Sequence, residues 1–401
     1  MKKVVLTLSA LTAICLTSCS SDDDSSVNNN QVIAPITYEF ERGGNSTVSF
    51  SGQTTRIAMA QELRGALLDN TLSASQLMGM FAHEEGNEDF SDATLNASNK
   101  NIRSKTAASS DYFSANTVAA EAIKSDLDAW ITEQADVVFA NWAVTAEAGV
   151  AGQIQEPGGG TTRYVNAKGL ELNQAVAKSL IGGLMTDQML NNYLSVNELD
   201  AGDNMENNTA EVLEDGQLYT SMEHKWDEAY GYLYGAEVDP SMPVLNADSY
   251  LNTYLSQVDS DADFAGIAEA VYEAFKLGRA AIVAHDYDLR DEQAEIIRAS
   301  ISKVSAVRAV HYFIGGKEAM EANNMAKAFH ELSEGFGFMY SLQFTRKPGT
   351  NAPYFSKSEI DGYVSTLMAG NGFWDVSGET LETMAQEIAS RFGFTVEEAA
   401  N

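Results

Sequence analysis

His224-Lys225-Trp226-Asp227-Glu228-Ala229-Tyr230-Gly231-Tyr232-Leu233-Tyr234 has an echo in His330-Glu331-Leu332-Ser333-Glu334-Gly335-Phe336-Gly337-Phe338-Met339-Tyr340. His, Glu, Gly and Tyr recur at the first, fifth, eighth and eleventh places, and aromatic residues stand at the seventh and ninth places of both. At about 100° per residue, the His, the Glu and the Gly fall on one stripe of a helix. Each copy then offers an imidazole and a carboxylate beside a glycine at which a second backbone can approach. A repeat of this kind predicts two related helical halves, each turning a polar pair inward.

Around these two stretches the chain is mostly of helical period. Apolar residues at that spacing predict helices over 54–68, 71–81, 114–149, 168–194, 248–258, 264–285, 288–314, 316–344, 356–368 and 377–392. Gly182-Gly183, in the middle of one of them, marks a close approach of two helices. Residues 38–51 instead alternate with period two about Gly43-Gly44-Asn45-Ser46, the pattern of a small β-hairpin. Residues 83–110 and 197–209 read as surface loops, and Pro157-Gly158-Gly159-Gly160 breaks the chain decisively. Asp239-Pro240-Ser241-Met242-Pro243 is the strongest boundary, so a hairpin and first helical bundle are expected over 36–238 and a second bundle over 239–401.

The amino end carries an address. Lys2 and Lys3 precede an apolar run from Val4 to Leu16, and Leu16-Thr17-Ser18-Cys19 has the form of a lipobox, so residues 1–18 are expected to be a lipoprotein signal. The run is shorter than the ~18 apolar residues that a membrane span needs. Cys15 lies inside it and Cys19 is the only other cysteine, so no disulfide is expected and Cys19 is the expected lipidation site. Residues 19–35 begin with Ser20-Ser21-Asp22-Asp23-Asp24, a polar tether with too few apolar groups to pack. This acidic tether resembles the surface-export signal of lipoproteins in the Bacteroidota, which implies an outer-membrane protein facing the cell exterior.

Fifty-seven acidic against 25 basic residues give a net charge of −32. A nucleic-acid partner needs a basic footprint, and none is present in the sequence.

Two readings of His224/Glu228 and His330/Glu334 stand side by side. Imidazole with carboxylate suits iron, zinc or copper, and two convergent pairs would make a metal or small-ligand site. Equally, each pair can be a hydrogen bond satisfied inside the core, where an unpartnered polar group costs about 1–3 kcal/mol. Asp227 is a further acid in the first motif, and Arg308 and His311, three apart on one helix, are additional candidates. No His-Glu-x-x-His motif and no nucleophile elbow occur. Asp259-x-Asp261-x-Asp263 opens like a calcium loop, but Phe264 and Ala270 stand where Gly and Glu are required, so it reads as a capping run.

The lipobox, the helical halves and the His-and-acid motif resemble the imelysin-like proteins. Tyr38-Glu39-Phe40, Gln53-Thr54-Thr55-Arg56-Ile57, the His224–Tyr232 stretch and Gly278-Arg279-Ala280-Ala281-Ile282-Val283 resemble more closely a Bacteroidota lipoprotein family of unknown function, over residues 36–395. The resemblance implies two helical bundles related by an internal repeat and a role in iron uptake beside a TonB-dependent receptor. The imelysin marker is His-x-x-Glu; here the third place after His224 is Asp227, followed by Glu228, and the third after His330 is Ser333. The expectation is a mainly α, non-enzymatic accessory in the acquisition of iron or another transition metal, with His224, Glu228, His330 and Glu334 as its contacts. A metallopeptidase and a structural surface lipoprotein that binds a partner are the alternatives.

Overall fold

Gly43 and Gly44 both adopt positive φ, and the turn they make joins β1 (Glu41–Arg42) to β2 (Asn45–Ser46), so the expected antiparallel hairpin is present but shorter, with Asn45 and Ser46 paired instead of in the turn and 47–50 outside any strand. The computed structural model describes residues 32–400. The signal, Cys19 and most of the tether lie outside the described residues. The described chain is mainly helical, and a helical bundle with a small two-stranded sheet near its amino end is its fold.

After the hairpin come α1 (Ser51–Ala66), α2 (Ala74–Phe81) and α3 (Thr117–Glu133). Ser73 caps α2 through a capping box with Gln76, and Asn116 caps α3 by accepting from Ala119 N, each satisfying amides that a helix start leaves free. The single helix expected over 114–149 ends early. Its stripe does not continue: Val137 and Val144 are exposed, and the chain passes through a π turn and a 3₁₀ turn into a second hairpin. That hairpin is β3 (Gly152–Gln155) paired with β4 (Thr162–Val165), and Pro157-Gly158-Gly159-Gly160 forms its turn rather than a structureless break. Trp142 stacks on Tyr164 at 3.4 Å, which ties the end of the helical segment to β4.

Next, α4 (Leu172–Leu180) runs on into two π segments at Ile181–Thr186 and Met189–Tyr193, all of them buried. Then follow α5 (Ser221–Tyr234), α6 (Leu251–Asp259), α7 (Ile267–Val283), α8 (Tyr287–Glu321), α9 (Met325–Ser341), α10 (Lys357–Leu367) and α11 (Gly378–Phe392). Short helices at Val196–Leu199 and Asn204–Thr209 replace the loop expected there. The helix break expected at Gly315-Gly316 falls instead at Ala322–Asn324, where Asn323 takes positive φ and Asn324 caps α9. These glycines serve packing: a Cβ on Gly316 would lie 2.5 Å from Leu332 Cδ2, so α8 stays helical and lets α9 lie close against it.

α8 is the central rod, packed by α7, α9 and α11, and α9 packs in turn on α4. One hydrophobic cluster runs through the molecule, from Tyr38 to Ala399, and Val32–Asn401 forms one compact unit. Gly182 meets the expected close approach, donating its N–H to Ser341 Oγ at 3.1 Å, with no room for a Cβ. Among the described residues no helix is long and apolar enough to cross a membrane.

Candidate functional site

Both copies of the repeated stretch lie on helices, α5 and α9, and their eighth-place glycines do the same work. A Cβ on Gly231 would sit 2.3 Å from Phe50 Cβ and 3.1 Å from Gln53 Cβ, at the start of α1. A Cβ on Gly337 would sit 2.4 Å from Lys178 Cβ, on α4. The fifth-place glutamates then reach across the same contacts. Gln53 Nε2 donates to Glu228 Oε1 at 2.9 Å, and Lys178 Nζ lies 3.5 Å from Glu334 Oε1.

The histidines differ. His330 and Glu334 are brought together, Nε2 to Oε1 at 3.5 Å, while His330 Nδ1 lies 2.7 Å from Glu171 Oε2 and 3.1 Å from Arg163 Nη1. Arg163 only donates and Glu171 only accepts, so Nδ1 serves one of the two at a time, according to its tautomer. His224 does not bond Glu228. Its ring stacks on Tyr219 at 4.5 Å and its buried Nδ1 has no hydrogen-bond partner. The two His–Glu sets share no partner: His330 belongs to β4, α4 and α9, and Glu228 to α1 and α5.

Around Glu334 the charges compensate one another. Tyr254 donates to its Oε2 at 3.3 Å, and Lys178, itself fully buried, also lies 4.9 Å over the Tyr254 ring. Burial pushes the Glu334 carboxyl up, but Lys178 and His330 outweigh it and hold it below the usual range. Burial draws the Lys178 ammonium down, against Glu334. Arg308 packs over Tyr312 at 4.4 Å and adds a further cation to this cluster, and His311 lies beside Tyr312.

A metal ion does not fit this donor set. Three cations, Arg163, Lys178 and Arg308, surround the carboxylates, so an added ion would meet positive charge where it needs free anionic ligands. Among the described residues no group of three or more His, Cys, Asp or Glu side chains is arranged to hold a metal ion.

Asp227 heads a second buried network. Its Oδ1 accepts from Arg279 Nε at 3.0 Å and from the Tyr38 hydroxyl at 2.7 Å, and its Oδ2 accepts from Ser49 N at 3.3 Å. Arg279, fully buried, also donates to Glu223 Oε1 at 3.0 Å and Thr47 Oγ1 at 3.1 Å. Arg42 reaches Glu223 from the hairpin at 3.2 Å, and Glu223 closes the capping box of α5 with Thr220. Burial draws the Arg279 guanidinium down, but Asp227 and Glu223 more than offset this and hold it charged. The separate segments that carry the family resemblance thus meet around α5: Tyr38 also stacks on Tyr230 at 3.6 Å, and Gly278 leaves room for Trp226. Glu223 was not legible as a member; Arg279 was marked by the family-like Gly278–Val283 segment and as a cation amid the apolar stripe of α7, but not as the partner of Asp227.

Above this network lies a cavity of about 740 Å³, lined by Tyr38, Glu39, Ser49, Phe50, Asp239 and Ser241 among others. Its wall mixes apolar surface from Val48, Phe50 and Pro240 with hydroxyl groups and the two exposed carboxylates of Glu39 and Asp239, the apolar part being the larger. Elsewhere, Asp259 accepts from Gly266 N and Ala268 N, both at 3.0 Å, in keeping with a capping role.

A family model described as Domain of unknown function (DUF4856) matches residues 35–395. No curated protein and no solved structure matches the chain.

Proposed function

This chain belongs to that family of unknown function, and from this premise we propose that it is a non-enzymatic lipoprotein, held to the outer membrane by an acylated Cys19 and facing the cell exterior. In this reading it assists the acquisition of iron or a related metal, or its chelate, beside a TonB-dependent receptor. The observation that carries the reading is the lipobox Leu16-Thr17-Ser18-Cys19 with the acidic tether behind it. The likeness to imelysin-like proteins, with two helical halves joined by a repeat, supplies the link to metal uptake.

The geometry bears on how such a role is met. His330, Glu334 and Asp227 spend their polar atoms on ion pairs inside the protein, so these residues brace the fold rather than take up a bare ion. The test compares cells lacking this chain with wild type for uptake of iron-59 supplied as a chelate, together with palmitate labelling of wild type and Cys19→Ala. Slower uptake after deletion and loss of label in the variant are expected. Unchanged uptake of every chelate offered would sink the acquisition role, and unlabelled wild type would sink the anchor.

A further inference from the structure

The segment that enters the hairpin and the loop that follows α5 run side by side, and both turn aliphatic side chains outward. Tyr38 N donates to Ser241 O at 2.8 Å, and Lys276 Nζ donates to Ile36 O at 3.0 Å, which holds the pair of segments against α7. On the first, Ile33 is 81% and Ile36 93% exposed; on the second, Val238 is fully exposed, Val244 83% and Met242 59%. These five gather on two paired segments, whereas other exposed aliphatics, Val118 and Val212 among them, lie on other elements. Nor is the loop loose. Glu237 accepts from Leu245 N at 2.9 Å and from Asn252 Nδ2 at 2.8 Å, Tyr230 and Tyr272 donate to the carbonyls of Pro240 and Ser241, and Leu245 is held at positive φ. Holding a branched residue there is strained, so the surrounding structure sustains an outward display of aliphatics at a cost.

We propose that this patch of Ile33, Ile36, Val238, Met242 and Val244 is a membrane-docking face that inserts into the interfacial region of a zwitterionic bilayer. The proposal rests on the lipid-anchor reading for its choice of occupant. Twelve residues, 20–31, separate Cys19 from the first described residue, a reach of at most about 47 Å, and the chain enters the fold at this same patch. An anchor at Cys19 therefore delivers the chain into the fold at this face and keeps it within tether reach of the bilayer. Composition agrees: the exposed members are all aliphatic, whereas protein hot spots favour Trp, Tyr and Arg. Protruding aliphatics enter acyl chains without the shape complementarity that a protein partner demands. The neighbouring exposed charges, Glu39 and Asp239, are acidic, so anionic lipid is repelled and a zwitterionic headgroup is accepted.

The experiment uses the chain from residue 19 to 401 carrying Cys19→Ser, so that vesicle binding does not depend on acylation. Flotation with phosphatidylcholine vesicles is compared for this protein, for Val238→Asp/Met242→Asp/Val244→Asp, and for Ile33→Asp/Ile36→Asp, with circular dichroism reporting the fold of each. At least a tenfold fall in vesicle-bound protein is expected for both variants, with weaker binding to phosphatidylglycerol that recovers as salt is added. A Val238→Trp variant gives a second readout, a blue shift of emission on adding vesicles. No flotation of the parent protein, equal flotation of all three, or no shift at position 238 overturns the proposal. Palmitate labelling of Cys19 fails separately, so loss of the anchor and loss of the docking face are distinguishable.

Discussion

Replacing Arg279 by Met leaves Asp227 and Glu223 buried without their shared cation, and breaking such a set by removing one partner costs about 3–5 kcal/mol. Urea unfolding is expected to show that loss; a change below about 0.5 kcal/mol would mean the network does not brace the fold. The two histidines should behave unequally. His330→Ala strips Glu171 and Glu334 of a shared partner and is expected to cost about 1–3 kcal/mol. His224→Ala gives up only a stacking contact and is expected to cost under about 1 kcal/mol. Equal losses would indicate that the repeat imposes one role on both. The sequence showed the His–Glu spacing but not this difference, because His330 takes its second carboxylate from Glu171, 159 residues away, and His224 has no counterpart to it.

Along the elements, glycine positions were more legible than boundaries. The repeat predicts a close approach at Gly231 and Gly337, and α1 and α4 make it. Gly337→Ala forces a methyl against Lys178 and is expected to cost about 1–3 kcal/mol, with a lower urea midpoint than Gly362→Ala, where a Cβ meets open space. A matched midpoint would show that α4 and α9 shift apart freely. Helix ends were misread where periodicity outlasted the helix. Val137 and Val144 keep helical spacing yet face solvent, and Gly315-Gly316 resembles a stop but is a seat for Leu332. The β3–β4 hairpin was hidden because its turn glycines dominate short strands with only half-buried faces.

At the scale of the whole molecule, two buried carboxyls set a pH dependence. Burial pushes Asp187 up to about 6, against the N–H groups of Ala108 and Ser109, and Asp248 to about 6, against Tyr250 N. Their folded values lie above the unfolded ones, so the native state holds the extra protons and stability falls as pH rises from about 4 to 6. Glu223 and Glu334, depressed in the fold, act oppositely, and their contribution is lost as pH drops through the carboxylate range. Asp187→Asn removes one of the opposing titrations. Its stability relative to wild type is expected to rise between pH 4 and 7, by at most about 3 kcal/mol for a shift of about two units; a difference that stays constant across that range would reject the assignment. That the fold is helical was plain from its period, but the charge pairing around Asp227 was not, since it joins segments that sequence keeps far apart. The bonds of Tyr38 to Asp227 and of Thr47 to Arg279 span 189 and 232 residues. No ribosome-bound intermediate shorter than α7 contains both ends of that network, so the hairpin is sewn in late. Until Arg279 has emerged, Asp227 has no counter-ion to bury it, and the hairpin lacks the cation that joins Thr47 to α5. If the chain is exported as proposed, this late closure leaves the hairpin free to thread a translocation channel until α7 has been made.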